Sequence, residues 1–200
     1  MTSLDQLHQK PAPQFSEATL TLLAHLKSER LKINTPNVSD NTGGFLFHLI
    51  QDRRYRHILE LGTANGYSSI YLLEAILPEK SGHLMTIEIQ RDTYMRAKTN
   101  LHTYRDRVTL VCSNATEFLK SAGDLRFDFI FIDALKTATL EHFLIARKLL
   151  SSGGTIVVDD VVKFGNKMPD FYEYLEKNSI KYSIIMTDED DGVMVLEGLC

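Results

Sequence analysis

A chain of 200 residues, 44% hydrophobic and 24% charged, is long enough for one full α/β core and too short for two. Its 22 basic and 26 acidic side chains leave a net charge of −4, which argues against a nucleic-acid binder working through a broad basic face, though not against a local basic patch. The two cysteines, Cys112 and Cys200, form no C-x-x-C pair and cannot build a disulfide framework.

In chain order, residues 1–14 read as a flexible lead-in, polar and broken by Pro11 and Pro13, and residues 15–200 as a single domain. Residues 1–13 contain no apolar signal region and no stretch approaches a membrane span, so a cytoplasmic location is the default expectation. Ala18, Leu22, Leu23, Leu26 and Leu31 recur at helical spacing over residues 15–33, with Ser16 as N-cap. Residues 35–44, rich in Pro, Asn, Asp and Gly, predict a loop, and residues 45–51 a helix. Apolar strands are then predicted over 57–61, 84–88, 108–112, 127–133 and 155–159. Helices are predicted over 67–77, 92–104, 116–121, 137–150 and 169–178. Strands alternating with helices predict a doubly wound parallel sheet. Cys112, in one of these strands, reads as a small core residue. Residues 180–186 and 193–197 are two further strands joined by the short acidic loop 187–192, a connection that makes them antiparallel.

The chemistry gathers at strand ends. Phe127-Asp128-Phe129-Ile130-Phe131-Ile132-Asp133 is followed by Lys136, and Ile156-Val157-Val158 runs into Asp159-Asp160. In an open α/β sheet ligands bind at the carboxyl edge of the strands. Three carboxylates there suit a hard divalent cation, and a lysine beside them suits a general base. The bland alternatives are a helix cap for Asp133, a solvated lysine for Lys136 and an ordinary acidic turn for Asp159-Asp160. His48 and His57 have no partner at metal-ligand spacing and read as structural.

The first strand runs into Glu60-Leu61-Gly62-Thr63-Ala64-Asn65-Gly66-Tyr67-Ser68. Its glycines are spaced G-x-x-x-G, not the G-x-G-x-x-G that holds a pyrophosphate. Gly62 and Gly66 still let backbone approach a ligand. A carboxylate at Glu60, beneath that ligand, tolerates a cation and repels a pyrophosphate. Glu88 ends the second strand, where an acidic residue can accept bonds from both ribose hydroxyls. Ser113-Asn114-Ala115-Thr116 forms a polar turn that could meet an adenine. S-adenosylmethionine, with a sulfonium, an ammonium and no phosphate, fits these features.

These residues resemble the metal-dependent class I O-methyltransferases, the catechol and caffeoyl-CoA O-methyltransferases and their small bacterial relatives. The resemblance covers about residues 35–198. It rests on Glu60-Leu61-Gly62-Thr63 with Gly66-Tyr67-Ser68, Thr86-Ile87-Glu88, Asn37-Val38 and Gly43, Phe131-Ile132-Asp133 with Lys136, Val158-Asp159-Asp160, and Asp191-Gly192-Val193. It implies an α/β, Rossmann-like class I methyltransferase fold: a seven-stranded, mostly parallel sheet with a terminal antiparallel hairpin and helices on both faces. The implied cofactor contacts are Val38, Glu60, Gly62, Gly66, Tyr67, Ser68, Glu88, Ile89, Ser113, Asn114, Ala115 and Asp133. Asp133, Asp159 and Asp160 would hold Mg²⁺ or another divalent cation. Lys136 and Asp133 would be catalytic, Lys136 as a base whose pKa the metal or burial pulls down. Two positions depart from the family. Asp160 stands where the family usually has asparagine, and Ala134-Leu135 replaces more polar residues, so the acceptor can differ. The resemblance implies a small hydroxylated substrate; homodimerisation through the helix over 15–33 stays open. Competing readings are a tRNA hydroxyuridine O-methyltransferase, a non-catalytic S-adenosylmethionine-binding module and, weakest for want of the phosphate-binding glycines, a nicotinamide oxidoreductase.

Overall fold

The computed structural model describes residues 1–33 and 36–199. The predicted loop therefore begins, at Thr35, outside the described residues, as does Cys200. A seven-stranded sheet lies at the centre, in the order β3-β2-β1-β4-β5-β7-β6. The strands are β1 (His57–Leu61), β2 (His83–Glu88), β3 (Val108–Cys112), β4 (Phe127–Ile132), β5 (Leu150–Val158), β6 (Ser183–Met186) and β7 (Gly192–Glu197). β1 pairs in parallel with both β2 and β4, β2 with β3 and β4 with β5, while β7 runs antiparallel between β5 and β6. The predicted parallel sheet and terminal hairpin are both present, with β7 inserted inside β6.

Period-2 alternation sends side chains to both faces, and both faces are covered. Ile58, Phe129, Phe131 and Val157 point into one core, with Leu26 of α2 (Glu17–Ile33), Phe45 and Leu49 of α3 (Asp40–Arg53) and Ile70 of α4 (Tyr67–Ile76). Leu59, Leu61, Ile130 and Ile132 point into the other. There they meet Leu119 of α6 (Ala115–Ser121), Phe143 of α7 (Thr139–Leu149) and Phe171 of α8 (Pro169–Lys177). α5 (Arg91–Asn100) packs beside β2 and β3.

Several boundaries differ from the sequence expectation for identifiable reasons. The segment read as a lead-in contains α1 (Leu4–His8), started by a Ser3–Gln6 capping box, and its Leu7 is fully buried in the first core. Burying that one side chain contributes roughly 2 kcal/mol. α3 starts at Asp40 rather than residue 45, because Ser39 Oγ accepts the Thr42 amide at 3.0 Å as N-cap. The glycines that suggested a loop lie inside this helix. A Cβ on Gly43 would sit 2.7 Å from the Tyr71 ring of α4, so the residue serves close helix packing. β5 begins at Leu150, which pairs with Phe127 ahead of an irregularity in the ladder. Cys112 is exposed, not in the core: β3 is an edge strand and Cys112 is its last residue.

Candidate active site

Strand order reverses at β1, whose neighbours β2 and β4 are followed by connections on opposite sides, and ligand crevices open at that point beyond the carboxyl ends of the strands. A cavity of about 960 Å³ opens there, lined by Gly62, Glu88, Asp133, Lys136, Asp159 and Asp160 among others.

The floor is the turn after β1. Gly62 has φ +103°, Ala64 φ 51° and Gly66 φ 95°, so the backbone passes through left-handed conformations at alternate residues. Gly62 has no tolerance for a side chain, since a Cβ there would lie 1.9 Å from the Asp133 carbonyl oxygen. The Asp133 amide in turn donates to the Leu61 carbonyl at 2.9 Å. The turn and the first cluster carboxylate are therefore built on one another. At the end of β2, Glu88 accepts from the Ala64 amide at 2.9 Å and the Gln90 amide at 2.8 Å. The two amide donors fix its carboxylate at the cavity wall, and each oxygen keeps a lone pair for a further donor.

Glu60 lies beneath the cavity, fully buried. Ser68 Oγ and Thr86 Oγ1 each donate to it at 2.6 Å, and Ser69 donates as well. Burial pushes its pKa up to about 7, the three hydroxyls pull it back, and the Asp133 charge adds to the rise. Ser68 is thus a partner of Glu60. Tyr67, also buried, donates to Asp40, which Lys27 and Tyr71 also bind. Gly66 is the N-cap of α4. None of Glu60, Gly66, Tyr67 and Ser68 lines the cavity; Val38, Ile89, Ser113, Asn114 and Ala115 do.

Asp133, Asp159 and Asp160 each present one carboxylate oxygen, and the three atoms lie within 4.8 Å of one another. The ammonium of Lys136 sits among them, 2.8 Å from Asp133 Oδ1 and 2.8 Å from Asp160 Oδ2. Burial pulls the Lys136 pKa down, but the charges of Asp133, Asp159 and Asp160 outweigh it and the net shift is upward. Burial alone therefore does not make this lysine a base, which removes one of the two routes the sequence reading offered and leaves a metal's charge as the other. Asp159 is buried and is pushed well above the carboxylate range by burial and by the Asp133 charge. Asp160 adopts φ 59°, a left-handed conformation that asparagine and aspartate tolerate best among side-chain-bearing residues. Three hard oxygen donors at this spacing suit a divalent cation in donor type.

Other cavity residues had no chemistry readable from the sequence beyond the motif resemblance that marks Asn37 and Asp191. Both amide atoms of Asn37 and the Nδ1 of His142 are buried without a hydrogen-bond partner among the described residues, and both side chains line the cavity. A buried polar group in this state needs a partner from outside the described chain, such as a water, an ion or a ligand in the cavity. Burial holds the His142 pKa below its usual value, against the opposing charge of Glu141. Lys163, Phe164 and Asp191 complete the wall beside the carboxylates.

A mostly parallel Rossmann-like sheet, closed by an antiparallel hairpin and carrying its cavity at the switch point, is the architecture of class I methyltransferases. The chain belongs to the methyltransferase-domain family, which matches residues 59–161. It is 35% identical over 130 residues to the catechol O-methyltransferase of Mycobacterium tuberculosis, covering 64% of this chain and 58% of that protein. It is 36% identical over 134 residues to the catechol O-methyltransferase of Niastella koreensis, covering 64% of this chain and 60% of that one. The matches thus span about three fifths of the length of these relatives. Among solved structures, the O-methyltransferase from Bacillus cereus in complex with SAH superposes with a TM-score of 0.80 at 26% identity, covering 96% of each chain. The motif resemblance to the catechol and caffeoyl-CoA O-methyltransferases is borne out.

Proposed function

We propose that the protein is an S-adenosylmethionine-dependent O-methyltransferase, assisted by a divalent metal, that methylates a hydroxyl of a small catechol-like acceptor. The observation that carries this reading is one cavity shared by a ribose-type acidic site, Glu88, and the carboxylate cluster of Asp133, Asp159 and Asp160 with Lys136. The names of the catechol O-methyltransferase relatives and the SAH in the Bacillus cereus structure support it.

Glu88 would accept the ribose hydroxyls, Ile89, Ser113, Asn114 and Ala115 would surround the base, and Asn37 and Val38 would meet the methionine end. Transfer from a sulfonium is an in-line displacement, so the protein mainly orients the acceptor oxygen behind the methyl group. Asp133, Asp159 and Asp160 would hold the metal. A divalent ion there supplies the positive charge that lowers the pKa of an acceptor hydroxyl. With the carboxylate charge neutralised, the Lys136 ammonium would more readily give up its proton to solvent, and the resulting neutral amine would take the acceptor's proton.

Calorimetric titration of S-adenosylmethionine and of Mg²⁺ into wild type and Asp133→Ala tests the reading. Wild type is expected to bind both, and Asp133→Ala to lose Mg²⁺ binding. Absence of any divalent binding to wild type, even with S-adenosylmethionine present, would refute metal assistance. Binding of NAD in place of S-adenosylmethionine would refute the cofactor.

A further inference from the structure

We propose that Asp191, at the end of the β6–β7 turn, is a positioning residue: its carboxylate holds the loop after β5 so that Asp160 faces the other two carboxylates and Lys163 and Phe164 wall the acceptor. The inference rests on the methyltransferase reading above, and it concerns a residue that touches no reacting atom.

Asp191 is buried, and one of its oxygens, Oδ1, accepts three backbone amides. These are Val162 N at 3.2 Å, Lys163 N at 3.2 Å and its neighbour Gly192 N at 2.7 Å. The adjacent Val161 amide donates to the Gly192 carbonyl at 3.2 Å. Three consecutive amides following Asp160 are therefore bound to the hairpin.

Upstream of Asp160 the chain is fixed differently. The Asp159 amide donates to the Ile132 carbonyl at 3.0 Å, continuing the β4–β5 ladder. Asp160 thus lies between a sheet anchor and a hairpin anchor, at φ 59°. A left-handed non-glycine residue is uncommon, even as aspartate, and persists where its surroundings over-determine it. The Asp191 bonds supply part of the downstream constraint, beside the Phe164 amide, which donates to the Asp160 carbonyl at 3.2 Å.

The hairpin is itself a fixed post. Thr187 is buried and its hydroxyl meets that of Thr42 of α3 at 2.7 Å, while the Asp188 amide closes the turn on the Asp191 carbonyl at 3.0 Å. Lys163 Nζ adds a tie to Asp190 at 2.8 Å, but both side chains are exposed, so this pair contributes little. The buried carboxylate is therefore one of two side-chain ties with partly or fully buried partners on this loop, the other being Tyr172 Oη of α8, which donates to the Val161 carbonyl at 2.6 Å.

Outer residues that orient metal ligands typically change affinity 10–100-fold. Asp191→Ala should therefore weaken Mn²⁺ binding, read by the electron paramagnetic resonance of free Mn²⁺, by about tenfold or more. It should raise the KM for a catechol more than it lowers kcat, and leave S-adenosylmethionine affinity within about twofold. Asp191→Asn keeps an oxygen that accepts the same amides and should retain Mn²⁺ affinity within about threefold of wild type. Wild-type Mn²⁺ affinity and KM in Asp191→Ala would overturn the proposal. So would Asp191→Asn falling as far as expected for alanine, which would assign the effect to charge instead of loop geometry. If the alanine variant does not fold, Asp191→Glu takes its place: it keeps the charge but its longer side chain moves the accepting oxygen, so Mn²⁺ affinity should fall, and wild-type affinity and KM there would overturn the proposal. A wild type that binds no Mn²⁺ would instead overturn the metal reading on which the proposal stands.

Discussion

Lys136 is the residue whose surroundings depart most from its sequence reading. Its ammonium is bound by Asp133 and Asp160, and the carboxylate charge raises its pKa despite burial. The same oxygens that would ligate a cation are thus already neutralised in part by an organic one. On the proposed mechanism, replacing the lysine would remove a competitor for the cluster as well as a proton acceptor. Lys136→Met is expected to lower kcat by roughly 10²–10⁴, the range of a lost general base. Its Mg²⁺ affinity should be equal to or tighter than that of wild type, and its S-adenosylmethionine affinity unchanged. Initial rates and calorimetry on the same preparation check both halves. Activity within threefold of wild type would remove Lys136 from the chemistry, and weakened Mg²⁺ binding would show that the ammonium organises the cluster instead of competing for it.

At the scale of the element, the turn after β1 joins two strands through a contact that admits only glycine. Gly62→Ala would place a methyl group 1.9 Å from the Asp133 carbonyl oxygen at φ +103°. The clash is with backbone, so β1 and β4 must separate at their carboxyl ends. A loss of about 2–4 kcal/mol is expected, measured by urea unfolding. Gly153→Ala is the control: φ is +76° but nothing lies within 4 Å of the added Cβ, so only the conformational cost of about 1 kcal/mol remains. Equal losses in the two variants would mean that the Gly62 contact relaxes without strain.

The same elements explain what was legible in the sequence. The strands of this sheet are short apolar runs ending in charge, a local pattern, and so β1, β2 and β4 with their terminal Glu60, Glu88 and Asp133 could be read directly. α1 was hidden because its anchor is a single residue, Leu7, whose burial depends on a distant core. Gly43 and Gly44 suggested a loop because close helix packing and turn formation call for the same residue. Ser68 and Tyr67 belong to the motif, but their partners, Glu60 and Asp40, lie beside and below the cavity instead of in it. Asn37 and Asp191 were marked only by the motif resemblance and His142 not at all, since an orphaned amide, a loop-holding carboxylate and a buried imidazole acquire their roles only through tertiary neighbours.

For the whole molecule, the buried Glu60 couples global stability to pH. In the unfolded chain its carboxyl ionises near the ordinary 4.5, and in the folded protein it keeps its proton until about pH 7. Between those values the folded state binds one proton more than the unfolded state, so this group's contribution falls as pH rises. The loss is complete above about pH 7 and amounts to about 3 kcal/mol at 1.36 kcal/mol per pH unit. The direction is opposite to that of a carboxylate held low by a salt bridge. Three hydroxyl donors only partly offset full burial, and the Asp133 charge above the site works against ionisation. Glu60→Gln removes the titration while keeping a planar group of similar size among Ser68, Ser69 and Thr86. Its Tm relative to wild type should rise by roughly 5–10 °C between pH 5 and pH 8, as a few kcal/mol implies for a chain of this size. Melting curves of both proteins at the two pH values, without ligands, measure that difference. A gap that stays constant with pH would mean that the hydroxyl network ionises Glu60 already at acid pH, and that the carboxylate beneath the turn is a charged post throughout the working range.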